Sequence, residues 1–345
     1  MKNTERPNFP FVAVVGQENM KKALLLNLIN PSIGGVLIRG EKGTAKSTLV
    51  RALAELMPKR SINACSFGCI AGDFEHYCDD CKTADGTEQS AEARNMRIVE
   101  LPINATEDRV SGSLDIEAAI HDGSKKFDVG LLGKANNNIL YIDEINLLED
   151  HIVDIILDAA AMGVNYMERD GVSYSHPARF ILIGTMNPEE GDIRPQLLDR
   201  FGLVCDVTSE KAVENRIQLM QRRLEYEADP QAFIEKFADQ TAQLRQRIGK
   251  ARTLSEQMIT EGNFGEDIIT LIAKICIDLQ LDGHRGDITM LKTAIALAAY
   301  DARTTIERED VIEAARYVIP HRMRRLPMER GEIDETSLME RIGAL

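Results

Sequence analysis

The sequence predicts an α/β domain, a parallel sheet covered by helices, followed by a smaller all-helical domain. Up to about Val207, short apolar runs alternate with helical patterns, as strands and crossover helices do in a parallel sheet. The runs VLI, ILYI and FILI are continuous rather than alternating, which is typical of strands buried on both faces. After Thr208 the strand patterns stop and helical spacing takes over. We therefore expect an α/β domain over residues 1–207 and a helical connector and second domain over residues 208–345.

Length and charge narrow the class of protein further. The chain has 345 residues, 44% of them hydrophobic, which suits about two domains of roughly 150 residues each. Its net charge of −14 argues against a broad surface that reads nucleic-acid phosphates. The apolar run near the start is broken by Pro10 and matches neither a signal peptide nor a membrane span. We expect a cytoplasmic protein with no membrane span and no nucleic-acid partner.

The C-terminal part carries two clear amphipathic helix patterns and one polar one. Apolar residues recur at i, i+3, i+4 and i+7 in two sets: Ile268, Leu271, Ile272, Ile275 and Leu279, and Leu291, Ala294, Ile295 and Ala298. Asp229 to Leu254 is predicted to be one long polar helix, either an exposed connector or a partner surface.

A phosphate-binding loop is predicted between the strand VLIR and the helix STLVRALAEL. Backbone N–H groups of such a loop, together with the positive end of the following helix, can wrap a phosphate. Lys46 would reach the β- and γ-phosphates, and Ser47 would ligate Mg²⁺. The usual pattern has Gly where this chain has Ala45, so we expect Ala45 to adopt right-handed dihedrals and to start the helix. The candidate nucleotide-binding residues here are Gly40, Glu41, Lys42, Gly43, Thr44, Ala45, Lys46, Ser47 and Thr48.

Two carboxylates follow the predicted strand ILYI. Asp143 would hold the hydrated Mg²⁺, and Glu144 would polarise the attacking water. By itself such a pair is also common at the start of a helix. Together with the phosphate loop, the pair indicates an ATPase that uses ATP and Mg²⁺.

Further motifs resemble those of the AAA+ ATPases. Asn187, at the tip of the strand FILIGT, matches the sensor that contacts the γ-phosphate or its water. In that family the segment corresponding to Val15 and Gly16 lies by the adenine. Arg200 matches the arginine finger and Arg285 the second sensor, although each could instead be a surface arginine paired with a nearby Asp.

One branch of that family matches most closely. The chain resembles the ATPase I subunit of magnesium chelatase and its cobalt-chelatase relatives over nearly its whole length. The segments that carry the resemblance are GEKGTAKS from Gly40, ATEDRVSGSLDIE from Ala105 to Glu117, GLLGKA from Gly130, LYIDEINLL from Leu140, RPQLLDRFG from Arg194 and PHRMRR from Pro320 to Arg325.

The resemblance implies a motor rather than a chelating subunit. It implies a ring of about six copies of this chain with ATP between neighbours, and a helical lid displaced by extra hairpins and a helix insert. It also implies two partners, an integrin-like D-type subunit and a large subunit that holds the tetrapyrrole and inserts the metal. Whether Arg285 would act within its own subunit or across the interface stays open.

Two other classes of function compete with this interpretation. A MoxR-type AAA+ chaperone that matures a metalloenzyme shares the nucleotide motifs but does not require the block from Asp108 to Glu117. A helicase or transcriptional activator lacks support, because the sequence shows no zinc finger or helix-turn-helix module and is acidic.

Four clustered cysteines predict a metal site within an insertion at residues 60–95. Cys65, Cys69, Cys78 and Cys81 follow the spacing Cys-x₃-Cys-x₈-Cys-x₂-Cys, which can satisfy tetrahedral Zn²⁺. An Fe–S cluster uses the same ligands, and a thiol switch or no metal also remain open. The histidines show no metal-ligand spacing and are expected in surface or capping roles: His121, His151, His176 and His284.

Overall fold

The computed structural model describes residues 7–83, 91–115, 126–169, 172–323 and 335–344. Glu117, His121, Arg324, Arg325 and residues 84–90 of the insertion lie outside them. Among the described residues, none of the helices combines the length and apolar character that a bilayer span requires.

Strands in the described residues follow the predicted apolar runs and add three antiparallel pairs. They are β1 (Val36–Gly40), β2 (Arg60–Asn63), β3 (Ala91–Arg94), β4 (Ile98–Leu101), β5 (Gly112–Asp115), β6 (Lys126–Val129), β7 (Ile139–Ile142), β8 (Val164–Arg169), β9 (Val172–Pro177), β10 (Ile181–Met186) and β11 (Leu203–Val207). Five of them form one sheet in the order β11-β1-β10-β7-β4. The antiparallel pairs are β2 with β3, β5 with β6 and β8 with β9.

The register of the parallel strands sets which residues meet at the sheet edge. Ile139 of β7 pairs with Ile98 of β4 on one side and with Ile181 of β10 on the other. All residues of β7 and β10 are buried, which confirms the prediction of strands covered on both faces. Ile142 is the last residue of β7 and pairs with Gly184, so the residues after β7 leave the sheet alongside Thr185 and Met186, which end β10.

Helices in the described residues are α1 (Glu18–Ile29), α2 (Lys46–Leu53), α3 (Asp79–Thr83), α4 (Glu107–Ser111), α5 (Leu131–Ala135), α6 (Asp150–Met162), α7 (Pro195–Leu198), α8 (Val213–Ala228), α9 (Pro230–Lys236), α10 (Ala238–Glu261), α11 (Glu266–Asp278), α12 (Arg285–Tyr300), α13 (Arg308–Val318) and α14 (Glu335–Ala344). The predicted apolar faces of α11 and α12 are confirmed in large part. Ile268, Leu271, Ile272 and Ile275 are buried on α11, and Ala294, Ile295 and Ala298 on α12.

The prediction of one helix from Asp229 to Leu254 is wrong. Asp229 accepts hydrogen bonds from the backbone N–H groups of Gln231 and Ala232 and so caps a new helix, with Pro230 in the first turn. Phe237 then separates α9 from α10, and its ring is buried with Phe233 in one apolar cluster. The polar pattern gave no sign of this break. The cap at Asp229 and the buried rings of Phe233 and Phe237 are enough to end one helix and begin the next.

Two compact units divide the chain. Residues 40–193 form one, and residues 1–39 with 194–345 form the other. Within the second unit, α1 packs on β11, α10 and α12, and α12 packs on α13. The domain boundary at residue 207 stays a prediction; what the structure shows is that β11 ends at Val207 and that the described elements after it are helices.

Candidate active site

A polar cavity of about 350 Å³ lies within the unit of residues 40–193. It is lined by Lys42, Gly43, Thr44, Ala45, Lys46, Ser47, Thr48, Asp143, Glu144, Thr185, Met186 and Asn187. The structure thus brings together the predicted loop, both predicted carboxylates and the predicted sensor. They meet because β7 and β10 are adjacent and parallel, so the residues after them share one edge of the sheet.

The loop between β1 and α2 has a backbone suited to anions, with one departure from expectation. Lys46, not Ala45, is the first residue of α2, and Ala45 is left-handed, with φ 63° and ψ 19°. The expectation of right-handed dihedrals for Ala45 is therefore wrong. A left-handed alanine costs about 1–2 kcal/mol, and Gly43 is also left-handed, at φ 84°. When left-handed and right-handed residues alternate, successive backbone N–H groups point into one concavity, and such a concavity binds anions.

Lys46 lies at the base of this loop. Its Nζ donates hydrogen bonds to the carbonyl oxygens of Gly40, at 2.5 Å, and Glu41, at 2.8 Å. Burial lowers the pKa of Lys46, while the negative charges of Asp143 and Glu144 act in the opposite direction. The ammonium group is thus held inside the loop, opposite the two carboxylates.

Asp143 is fixed by two hydroxyl groups. The Tyr141 hydroxyl donates to Asp143 Oδ1 at 2.8 Å, and the Thr185 hydroxyl donates to the same oxygen at 2.5 Å. Tyr141 is buried, and this burial together with Asp143 raises its pKa, so the phenol stays a donor. Sequence reasoning missed Thr185, although its position at the end of the run FILIGT was a usable signal.

A second lysine of the site, Lys42, lies next to Glu144. Glu144 is left-handed, at φ 55°, and its backbone N–H donates to the Thr185 hydroxyl oxygen at 3.2 Å. Lys42 Nζ lies 3.7 Å from Glu144 Oε1 and 2.5 Å from Glu190 Oε1, and the hydrogen bond with Glu190 raises the pKa of Lys42. Glu190 was not singled out from the sequence. Non-glycine residues in left-handed conformations cluster at functional sites.

Asn187 is buried, and its side chain has a structural task as well. Its Oδ1 accepts a hydrogen bond of 3.3 Å from the backbone N–H of Glu189, which caps the short helix Pro188–Glu190. The cap fixes the orientation of the amide at the edge of the cavity.

The other predicted nucleotide residues lie in the second unit. Val15 is buried, and Gly16 is so close to Glu210 that a Cβ would lie 2.4 Å from its Oε2. Arg200 is half-buried. Arg285, the first residue of α12, donates to Asp199 Oδ2 at 2.9 Å.

Arg322 holds the turn that contains Arg200. Its side chain is 2% exposed and donates to the carbonyl oxygens of four residues: Asp199, Phe201, Gly202 and Val318, at 2.6 to 3.1 Å. Burial lowers the pKa of Arg322 to about 10, against the charge of Asp199. The sequence showed Arg322 only as part of a family segment, because three of its four carbonyl partners lie about 120 residues away along the chain.

The four predicted cysteines converge. Their Sγ atoms all lie within 4.8 Å of one another, with Cys69, Cys78 and Cys81 buried and Cys65 half-buried. Hydrogen bonds from Cys69 and Cys78 hold the pKa of Cys65 well below its usual range, and donation to Cys65 raises the pKa of Cys69 to about 12. In such a cluster, hydrogen bonds from the neighbouring thiols stabilise one thiolate. Deprotonation of further thiols requires a cation that balances the added negative charge.

The histidines divide into exposed and buried ones. His151 and His284 are exposed, in line with the expected surface roles. The expectation is wrong for His176, which is 2% exposed beside Phe67 and whose burial lowers its pKa.

Two family models match the chain. One, described as an AAA domain (dynein-related subfamily), matches residues 86–201, and the other, described as an AAA lid domain, matches residues 269–342. The sequence is 52% identical over 336 residues to the magnesium-chelatase subunit ChlI homolog of Methanocaldococcus jannaschii, which covers 97% of this chain and 90% of that protein. It is 45% identical over 345 residues to the magnesium-chelatase subunit ChlI of Cyanophora paradoxa, with 99% and 98% covered.

A solved assembly gives the same match in three dimensions. One chain in a cryo-EM-based structure of the complex between subunits BchI and BchD of magnesium chelatase is 46% identical to this chain. The TM-score is 0.55, and the match covers 93% of this chain and 98% of that one.

Proposed function

The chain belongs to the family of magnesium-chelatase ATPase subunits of the ChlI type, and from this premise we propose that it is the ATP-hydrolysing motor of a metal–tetrapyrrole chelatase. The observation that carries the proposal is the single cavity that joins a phosphate loop to Asp143 and Glu144. Relatives named as chelatase subunits align with nearly the whole chain, which favours this function over a MoxR-type chaperone.

The phosphate loop would bind the triphosphate of ATP. The cavity is polar and large enough for phosphate groups, and the first turn of α2 carries backbone N–H groups next to it. Lys46 would exchange its two carbonyl partners for β- and γ-phosphate oxygens, and Ser47 would ligate Mg²⁺. When bound, Mg²⁺ supplies charge neutralisation for the phosphates.

Asp143 and Glu144 would have different roles in ATP hydrolysis. Tyr141 and Thr185 both donate to Asp143 Oδ1 and so fix the carboxylate that would hold the hydrated Mg²⁺. Glu144 would accept a proton from the attacking water, and the Asn187 amide would orient that water or the γ-phosphate.

Arg200 would act on the ATP of a neighbouring subunit. Phosphoryl transfer spreads charge over the transferred group, and an arginine supplied in trans is worth about 10³–10⁵ in rate. The similar structure is a complex between subunits BchI and BchD of magnesium chelatase, and it supports an oligomeric assembly with a D-type partner for this chain. A ring of about six copies, a role for Arg285 within or across subunits, and adenine contacts from Val15 and Gly16 complete the proposal.

Subunit mixing tests the shared site. Arg200→Ala should bind ATP but lose turnover, and Lys46→Ala should lose nucleotide binding. A mixture of the two should recover some activity, because certain interfaces then join an intact phosphate loop to an intact Arg200. A mixture as inactive as its components would contradict a site shared between subunits.

The chelatase reaction itself requires partners beyond this chain. We assign metal insertion to a large tetrapyrrole-binding subunit, with Mg²⁺ or Co²⁺ as the metal and a porphyrin or corrin precursor as the acceptor. A purified assay that adds this chain and ATP to candidate large and D-type subunits, with each metal separately, tests this assignment. ATP-dependent insertion that needs Lys46 supports it, and insertion unaffected by Lys46→Ala contradicts it.

The four cysteines are proposed to bind a metal, Zn²⁺ or iron. The convergence of four sulfurs in a short insertion supports this assignment. Elemental analysis of protein purified without chelators should find about one equivalent of metal. A cytoplasmic location and the boundary between residues 207 and 208 stay predictions, which cell fractionation and limited proteolysis would test.

A further inference from the structure

The spacing of the cysteine sulfurs bears on the kind of metal centre that they would form. The four Sγ atoms all lie within 4.8 Å of one another. A tetrahedral Zn²⁺ with Zn–S bonds of 2.3 Å places its sulfurs about 3.8 Å apart. An Fe–S cluster distributes its cysteines over two or more irons and therefore spreads the sulfurs further. The compact arrangement favours one ion held by all four sulfurs.

Donors around the sulfurs complete the site. The backbone N–H of Cys69 donates to Cys65 Sγ, and that of Cys78 donates to Cys69 Sγ, both at 3.3 Å. Asn63 Nδ2 lies 3.7 Å from Cys81 Sγ. Hydrogen bonds of this kind stabilise thiolate ligands and orient them toward a metal.

The cysteine loop is also the base on which two hairpins pack. Phe67, which lies between Cys65 and Cys69, stacks on His176 of β9 at 4.9 Å and on Phe127 of β6 at 6.4 Å between centroids. Tyr174 of β9 stacks on Phe127 at 4.3 Å. One aromatic stack therefore connects the β5–β6 and β8–β9 hairpins to the cysteines.

The same loop is bonded to the segment that leads into β7. The Asn136 side chain donates to the Phe67 carbonyl oxygen at 2.9 Å, and that of Asn137 donates to the Gly68 carbonyl oxygen at 3.2 Å. A Cβ on Gly133 would lie 2.6 Å from Val129 and 3.1 Å from the Phe67 ring. Phe67 is thus held on several sides, and within its own loop it packs with the cysteines and Tyr77.

We propose that Cys65, Cys69, Cys78 and Cys81 bind a single Zn²⁺ whose task is to hold Phe67 in place and thereby fix the β5–β6 and β8–β9 hairpins. The inference rests on the proposed metal site and is independent of chelatase activity. Because an insertion this small has little apolar core of its own, the metal supplies the energy that orders it. The hairpins then depend on the metal, whereas the phosphate loop does not.

Metal analysis and amide hydrogen exchange on the full chain test this proposal. We expect one Zn²⁺ per chain and, after Co²⁺ replacement, the absorption bands of a tetrahedral cobalt thiolate site. Removal of Zn²⁺ with a chelator under reducing conditions should speed exchange in Lys126–Val129 and Val172–Pro177 about tenfold or more. Exchange in Ile139–Ile142 and the affinity for ATP should change little.

One further variant tests the proposal without removing the metal, and another serves as a control. Phe67→Ala should retain one Zn²⁺ and still loosen both hairpins, and it replaces the chelation experiment if metal-free protein precipitates. Cys276→Ala, a buried cysteine elsewhere in the chain, should retain both the zinc and the hairpin protection. Iron with cluster absorption, or no metal with four reactive thiols, would overturn the single-zinc site. Unchanged hairpin exchange in both zinc-free protein and Phe67→Ala would overturn the supporting role alone, and neither result bears on ATP hydrolysis.

Discussion

The Thr185 hydroxyl donates a hydrogen bond of 2.5 Å to Asp143 Oδ1. The same hydroxyl oxygen accepts a hydrogen bond from the backbone N–H of Glu144 at 3.2 Å. One side chain on β10 therefore holds the carboxylate of Asp143 and the backbone of Glu144, the two residues that follow β7. This relationship follows from the parallel register, in which Ile142, the last residue of β7, pairs with Gly184, so that Asp143 follows it beside Thr185 of β10.

Removal of the Thr185 hydroxyl should slow ATP hydrolysis with little effect on ATP binding. In Thr185→Val, Asp143 keeps only the Tyr141 donor and the Glu144 N–H loses its acceptor. A hydrogen bond to a charged group is worth about 1.5–3 kcal/mol, so kcat should fall about 10- to 100-fold. Steady-state ATPase assays measure this fall, and Thr185→Ser, which keeps the hydroxyl, is the control. Wild-type kcat in Thr185→Val would show that the contact does not matter.

Lys46 and Glu144 should give opposite defects. Lys46→Ala removes the charge that compensates the phosphates, so nucleotide binding should be lost. Glu144→Gln removes the proton acceptor but keeps the shape, so ATP should stay bound while turnover falls by about 10²-fold or more. Titration with a fluorescent ATP analogue and a turnover assay separate the two effects. Equal turnover in wild type and Glu144→Gln would remove Glu144 from the site.

The sequence revealed the parts of the site that stand out by chemistry, and it missed those that depend on geometry. Asp143 and Asn187 were recognisable because polar residues directly follow continuous apolar runs. Thr185 belongs to such a run and looked like part of a buried strand. The left-handed φ of Ala45 is a property of the backbone that residue type does not reveal. Arg322 contacts a turn that lies about 120 residues away in the sequence, and only the folded structure shows this contact.

The left-handed backbone at Ala45 predicts a stabilising substitution. Ala45→Gly relieves a cost of about 1–2 kcal/mol in the folded state and loses about 0.4–1 kcal/mol through the freer unfolded chain. The free energy of unfolding should therefore rise by about 0.5 kcal/mol. The reverse change at Gly43, which is also left-handed and has open space at its Cβ, is the matched control and should destabilise by a similar amount. Denaturant melts measure both, and destabilisation by Ala45→Gly would contradict the assigned backbone.

Arg322 should act as a positioning residue for Arg200. Its guanidinium holds the carbonyl oxygens of Asp199, Phe201 and Gly202, the residues that flank Arg200. Lysine keeps the charge but lacks the planar fork, so Arg322→Lys cannot satisfy the same carbonyls. We expect Arg322→Lys to bind ATP normally and to lose about tenfold in kcat, whereas Arg316→Lys, in the helix Arg308–Val318 that precedes Arg322, should behave as wild type.

Complementation separates this positioning role from a general loss of stability. Because Arg322→Lys keeps an intact phosphate loop, a Lys46→Ala subunit beside it can supply a well-placed Arg200. Mixing the two variants should therefore raise the turnover per intact phosphate loop, as mixing Arg200→Ala with Lys46→Ala should. The double variant Arg200→Ala/Arg322→Lys should be no slower than Arg200→Ala, since the second change has no finger left to misplace. A further loss in the double variant, or no complementation by Lys46→Ala, would mean that Arg322 acts on its own subunit's stability and not on the neighbour's ATP.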